Sequence, residues 1–525
     1  MSILIGTARK ERGQSAREPS QGDWALLGGL SFALFFVHML VNGRYGYFVD
    51  ELYYLACSHH LDWGYVDQPP LIAVVTWFER VTLGDSLYTL RFLPALAAGL
   101  KVLLTGLIAR ELGARRYAIM VACVAVMVAP VYLGLDSLLT MNVFEPCFWM
   151  GCALIALKIF NGASPKLWLL FGLVAGVGLQ NKHSTLLFGF AFFVALLLTG
   201  ERRHLRRPWI WLGGFLALVI FVPNLVWEIH RDFPTIELLR NVQASGRNTE
   251  LSWYGFILNE ALIMHPLSAP LWMAGLWYLL RDGSGKGARV LGWTFVIILL
   301  CLLMLRGRIY YLAPAYPMLF AAGAIAFQNS VERRSWNCLK PTYVAALLVT
   351  GVMLAPFGYF PVLTVKQYIA YSKVMHFAPP KIENHGEGPL PQIYADQFGW
   401  KEMAQAVADA YLKLPSNERQ RCAIFGQTYG QAGTIDFFGA KMGLPPALSG
   451  HQNYYYWGTH GYTGECMIVM GGDYQTLSEE FDQVEKVGTV FHPLSMPYQH
   501  FDLYLCRRPK FGTLNQVWPK LKNWG

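Results

Sequence analysis

The chain has 525 residues, of which 54% are hydrophobic and only 15% charged, with a net charge of +9. A soluble domain carries about 25% charged residues, so this balance points to the bilayer rather than to a freely soluble protein. The excess of positive charge does not imply nucleic acid, because the basic residues sit in short clusters between apolar runs, as topology signals do.

Residues 1–23 read as a polar, basic cytoplasmic tail, with Arg9, Lys10, Arg12 and Arg17. The apolar run that follows is too long for the core of a cleavable signal peptide. A spanning helix needs roughly 20 predominantly apolar residues. Runs at 24–42, 89–108, 117–135, 139–157, 167–180, 184–199, 210–227, 267–280, 290–305, 309–328 and 341–361 predict about 11 spans, with 167–180 and 267–280 the shortest. Basic loops then set the orientation: Arg110, Arg115 and Arg116; Arg202, Arg203, Arg206 and Arg207; Arg281, Lys286 and Arg289; Arg333, Arg334 and Lys340. With these inside, residues 43–88, 228–266 and everything after 361 lie outside the cytoplasm.

Beyond a linker at 362–384, residues 385–525 have ordinary globular composition and predict a small α/β domain outside the membrane. Strands are expected at 421–426, 466–470 and 501–507, and amphipathic helices at 400–413 and 475–486. Gly426, Gly430 and Gly433 follow a strand without the spacing of a dinucleotide fingerprint. Cys57, Cys123, Cys147, Cys152 and Cys301 read as small packing residues. Two of Cys422, Cys466 and Cys506 suit a disulfide if this domain is extracytoplasmic, with the pairing open.

The first outer loop carries the strongest chemical signal. Asp50 and Glu51 follow directly on a span, among Tyr45, Tyr47, Tyr53 and Tyr54. Acids at a membrane edge are costly and tend to be kept there for function. Asp67-Gln68-Pro69-Pro70 follows about 16 residues later, opening an amphipathic piece at 71–83 suited to the interface. Arg91 then starts the next span.

This order of Asp-Glu, acidic-x-Pro-Pro and Arg resembles the GT-C glycosyltransferases. It is most similar to the glycosyltransferase family 39 group, with its protein O-mannosyltransferases and lipid A aminoarabinose transferase. The likeness runs to about residue 330; Ser449-Gly450-His451-Gln452-Asn453-Tyr454 adds a bacterial flavour. The resemblance implies a GT-C bundle, a polyprenyl-phosphate sugar donor, an extracytoplasmic acceptor and a bacterial inner membrane. It also implies Asp50 as catalytic base, with Glu51 orienting or tuning it. One carboxylate suffices, because a lipid phosphate leaves readily without the proton that a glycosidase must give its alkoxide.

The leaving phosphate calls for cations near the outer face. Lys182 and His183 lie in one turn between spans, and Arg306 and Arg308, followed by Tyr310 and Tyr311, in another. Arg91 is a further candidate. Tyr54, Asp67, Gln68 and Glu145 complete the expected substrate-binding set. Two departures from the family are visible. Asn142 stands where relatives carry an acid, leaving Glu145 or Asp136 to substitute, and Gln68 stands where relatives carry His or Lys. Asp67 with His265 or His230 would be the start of a divalent-metal site, though two ligands do not make one. The stretch from His451 to His460 is either an acceptor platform or, as preferred here, a loop packing back on the membrane region. Rival readings are a transporter or flippase for a glycolipid and a non-catalytic envelope scaffold; acids and bases clustered at outer ends, without an internal repeat, favour the enzyme. A monomer is expected.

Overall fold

The computed structural model describes residues 21–247, 249–282, 287–379, 381, 383–386 and 388–525. Arg9, Lys10, Arg12 and Arg17 of the tail, and Lys286 of the third basic loop, lie outside the described residues.

All eleven apolar runs are helical, since a segment without water must satisfy its backbone internally. Helix α1, Gln21–Val41, ends where Asn42 and Gly43 follow. Among the described residues, six helices are long and apolar enough to cross a membrane: Gln21–Val41, Leu87–Glu111, Met141–Phe160, Pro208–His230, Ile309–Arg333 and Leu339–Gly358. Ser184–Leu198 and Gly200–Arg206, bent by 109°, make a seventh if they form one span. Arg116–Met127, Leu167–Asn181 and Ala288–Met304 are apolar but shorter. The run at 117–135 is two helices rather than one, because Pro130 opens the second, Pro130–Leu135, and has no N–H to continue the first ladder. Helices Leu167–Asn181 and Pro208–His230 approach so closely at Gly172 and Gly213 that a Cβ on either would collide with the opposite main chain.

The basic loops gather at one end of the bundle. Arg110 lies over the Trp24 ring, Arg115 and Lys340 share Glu332, Asn161 bonds Glu111, and the Phe160 ring packs on His204 and beside Gly287. At the other end sit α2, Val49–His59, and α3, Leu71–Leu83. Helix α3 is amphipathic as expected: Ile72, Ala73 and Thr76 are buried, while Val74, Trp77, Phe78 and Val81 are exposed.

The C-terminal region forms a four-stranded sheet of β1 (Cys422–Gly426), β2 (Cys466–Met470), β3 (Phe481–Val490) and β4 (Phe501–Pro509), ordered β1-β2-β4-β3. β1 and β2 are parallel, and the other pairs are antiparallel. Helix Trp400–Leu412 matches the expected one. The helix expected over 475–486 is a correction: Tyr474–Glu480 is helical, and the chain then turns into β3. As an edge strand, β3 exposes most of its polar residues, so its composition imitates a solvated helix face. Cys422 and Cys466, opposite each other on β1 and β2, form the disulfide, and Cys506 is a buried free thiol.

The domain does not stand apart. Leu52, Tyr53, Tyr54 and Leu55 of α2 share one core with Val407, Ile424, Ile468 and Leu505. The stretch expected as a linker contains the helix Val365–Met375, whose Tyr368 packs with Phe357, Leu390 and Tyr394. The loop after α1 is therefore clamped between bundle and C-terminal region.

Candidate active site

A cavity of about 1330 Å³ opens where α2, the adjoining helix ends and the C-terminal region meet. Asp50, Tyr54 and Asp67 line it from the first loop, and Asn142, Lys182, Arg306, Arg308 and Tyr310 from the bundle. Arg247, Glu383, Asp396, Tyr429, His451 and Gln452 complete its polar wall.

Successive residues of a helix point about 100° apart, so the adjacent acids of α2 separate. Asp50 faces the cavity and accepts a hydrogen bond from the Tyr429 hydroxyl at 2.8 Å. Burial pushes its carboxyl above the ordinary range; the Tyr429 bond, Arg247 and Arg308 oppose that, while Glu383 adds to it. Asp67 accepts from the Tyr53 hydroxyl at 3.2 Å, and burial, with the charge of Asp50, pushes it up to about 7. Asp396 is also pushed up to about 7, by burial first, with the Tyr498 hydroxyl bond opposing.

Glu51 is turned inward. Its carboxylate takes two bonds from Arg91, both 2.8 Å, and caps the Phe48 and Leu139 amides at 2.8 and 2.9 Å. Arg91 also donates to the carbonyls of Asn42, at 3.1 Å, and Gly46, at 2.8 Å. Both side chains are fully buried and neither lines the cavity. The expectation that Arg91 meets a phosphate is corrected: its fork is already filled by a carboxylate and two carbonyls. Through that clamp Glu51 caps the start of α2, one residue along from Asp50.

The cavity cations all have carboxylate partners. Lys182 bonds Asn142 at 2.7 Å and Glu145 at 2.9 Å, with the Tyr311 ring 4.5 Å away. Asn142, in the acid's expected place, thus acts with Glu145 on the same ammonium; Asp136 instead pairs with Lys101 at 2.6 Å in the bundle interior. Arg308 bonds Glu383 at 2.8 Å and Tyr310 at 3.3 Å, and Arg247 meets the other oxygen of Glu383 at 3.1 Å. Burial would raise Glu383, but the two guanidinium groups hold it below the usual carboxylate range. Arg306 pairs with Glu250 at 2.6 Å at an exposed rim.

Other expected residues lie elsewhere. His183 turns to Asn224 at 2.9 Å, and Gln68 is buried beneath the loop near Cys57; neither lines the cavity. His265 meets Thr350 at 2.9 Å away from the cavity that Asp67 lines, and His230 folds back on the Val226 carbonyl. The metal pairing of Asp67 with either histidine is therefore not formed, and no cluster of three or more metal-ligating His, Cys, Asp or Glu occurs among the described residues. The 451–460 stretch packs back on the first loop, Asn453 accepting the Val66 amide at 2.7 Å and Trp457 stacking on His60, yet it also presents His451 and Gln452 to the cavity.

Sequence reading did not find Arg247, Glu383, Asp396 or Tyr429 as site residues. The one available signal was positional: Tyr429 follows the carboxyl end of a strand, where ligands of parallel sheets gather.

Comparison with known proteins agrees with this architecture. Residues 67–227 match the family model described as dolichyl-phosphate-mannose-protein mannosyltransferase. ArnT from Cupriavidus metallidurans, solved bound to undecaprenyl phosphate, superposes with a TM-score of 0.58 over 93% of this chain and 98% of its own, at 14% identity. Its apo structure gives 0.57 over 92% and 97%, also at 14% identity. The fold is the GT-C fold, so the resemblance carried by the first loop holds at the level of architecture. Among curated proteins, the lipid A galacturonosyltransferase RgtD of Rhizobium johnstonii is 29% identical over 224 residues. That match covers 41% of this chain and 46% of the relative, so the chain aligns with less than half of that protein's length.

Proposed function

We propose that this chain is an inverting glycosyltransferase that moves a sugar from a polyprenyl-phosphate donor to an extracytoplasmic acceptor. The observation that carries the reading is a half-buried carboxylate, Asp50, sharing one cavity with Lys182, Arg247 and Arg308. In the reaction the acceptor oxygen bonds to the sugar's anomeric carbon as the bond from that carbon to the phosphate oxygen breaks. The hydroxyl proton passes to Asp50, and the bonding electron pair leaves with the polyprenyl phosphate. Attack opposite the leaving group inverts the anomeric centre. Lys182, Arg247 and Arg308 stabilise the phosphate as it gains charge, sharing their present carboxylate partners. Tyr54, Asp67 and Tyr310 border the sugar.

The bound lipid of ArnT supports the donor class, and the name of RgtD supports a lipid A-type envelope glycolipid as acceptor. The gathered basic loops and the disulfide support a bacterial inner membrane orientation with N-terminus inside and C-terminal domain outside.

The test uses purified protein in lipid with a panel of radiolabelled polyprenyl-phosphate sugars and lipid A. Label should pass to the acceptor with inverted anomeric configuration. Transbilayer movement of the intact donor without its consumption would replace this reading with the transporter one.

A further inference from the structure

The proposed base is held from the C-terminal domain. Tyr429 opens the helix Tyr429–Thr434 just beyond β1, and its hydroxyl reaches Asp50 at 2.8 Å across 379 positions of sequence. The ring is fixed on two sides. It stacks on His451 with centroids 5.1 Å apart and planes 10° apart, and lies 4.8 Å from the Tyr53 ring. His451 Nδ1 also accepts the Tyr429 amide at 3.1 Å. Tyr53 in turn gives its hydroxyl to Asp67 and takes the Asn453 amide at 3.3 Å. Each first-loop acid of the cavity is thus held by one tyrosine, and both tyrosines are keyed to residues 451–453.

Resting on the glycosyltransferase reading above, we propose that Tyr429 is a positioning residue for the Asp50 base, so that the C-terminal domain completes the catalytic site. Its hydroxyl fixes one carboxylate oxygen and leaves the other for the acceptor hydroxyl. Burial holds the phenol well above its usual range, so Tyr429 remains a donor. A hydrogen bond given to a carboxylate favours its ionised form, which a base requires. Asp67, Glu383 and Asp396 act on Asp50 in the opposite sense, and Tyr54 borders it. Arg247 and Arg308 assist the tyrosine. Packing alone would need only the ring.

Tyr429→Phe keeps the ring and removes the bond, and wild type, Tyr429→Phe and Asp50→Asn are compared in lipid with a radiolabelled polyprenyl-phosphate sugar. The phenylalanine variant should lower kcat roughly tenfold to a hundredfold, with donor KM little changed. The acid limb of its kcat/KM profile should move up by about one pH unit, because the carboxylate loses a stabilising donor. His451→Asn, which keeps an acceptor for the Tyr429 amide but loosens the ring, should shift the limb in the same direction by less. Profiles of both variants that superimpose on wild type, with Asp50→Asn inactive, overturn the positioning role alone. A misfolded Tyr429→Phe leaves His451→Asn to decide: an upward limb supports the role and an unmoved one overturns it. No turnover by wild type overturns the glycosyltransferase reading and this inference with it.

Discussion

The two faces of α2 carry neighbouring carboxylates into opposite surroundings. Glu51 enters a closed shell in which Arg91, two backbone amides and two carbonyls satisfy one another. Asp50 enters a cavity where its one side-chain hydrogen bond among the described residues comes from the C-terminal region, and Lys182, Arg247, Arg306 and Arg308 line the walls. A buried charge with every partner in place holds structure, whereas a raised carboxyl beside open space is suited to chemistry. One residue of offset on a helix separates the two.

Substitutions on each face should fail in different ways. The largest effect is on the cavity face: Asp50→Asn should lower turnover by about 10²- to 10⁴-fold while membrane levels and thermal midpoint stay near wild type. Across the helix, Glu51→Ala leaves Arg91 buried without its carboxylate and should cost about 3–5 kcal/mol of stability, read as a lower midpoint and poor accumulation. Within the domain that holds Tyr429, replacing Cys422 and Cys466 together by Ser should cost about 2–4 kcal/mol, and the oxidised wild type should resist thiol labelling at both positions until reduced. Arg308→Ala should raise donor KM roughly tenfold or more, since hydrogen bonds to charged groups contribute about 1.5–3 kcal/mol. Arg306→Ala removes an exposed pair and should change stability by less than about 1 kcal/mol.

The sequence made the helices legible because apolar runs must satisfy their own backbone, and it made Asp50 legible because an acid beside a span is costly. Arg91 was visible as a cation, but its partner was not, since nothing local shows that Glu51 turns inward. Residues 481–486, the first part of β3, carry a helix-like pattern because a solvated edge strand and a solvated helix face both hold polar residues. Arg247, Glu383 and Tyr429 escaped notice for another reason. They come from three distant segments that meet only when the domain closes on α2, so no spacing in the chain records their meeting.

The most direct measurement is sugar release from a polyprenyl-phosphate donor per folded molecule, with wild type, Asp50→Asn and Glu51→Gln side by side. The account predicts near-total loss in Asp50→Asn at wild-type folded yield, and loss in Glu51→Gln chiefly as folded protein. Wild-type release from folded Asp50→Asn would contradict it.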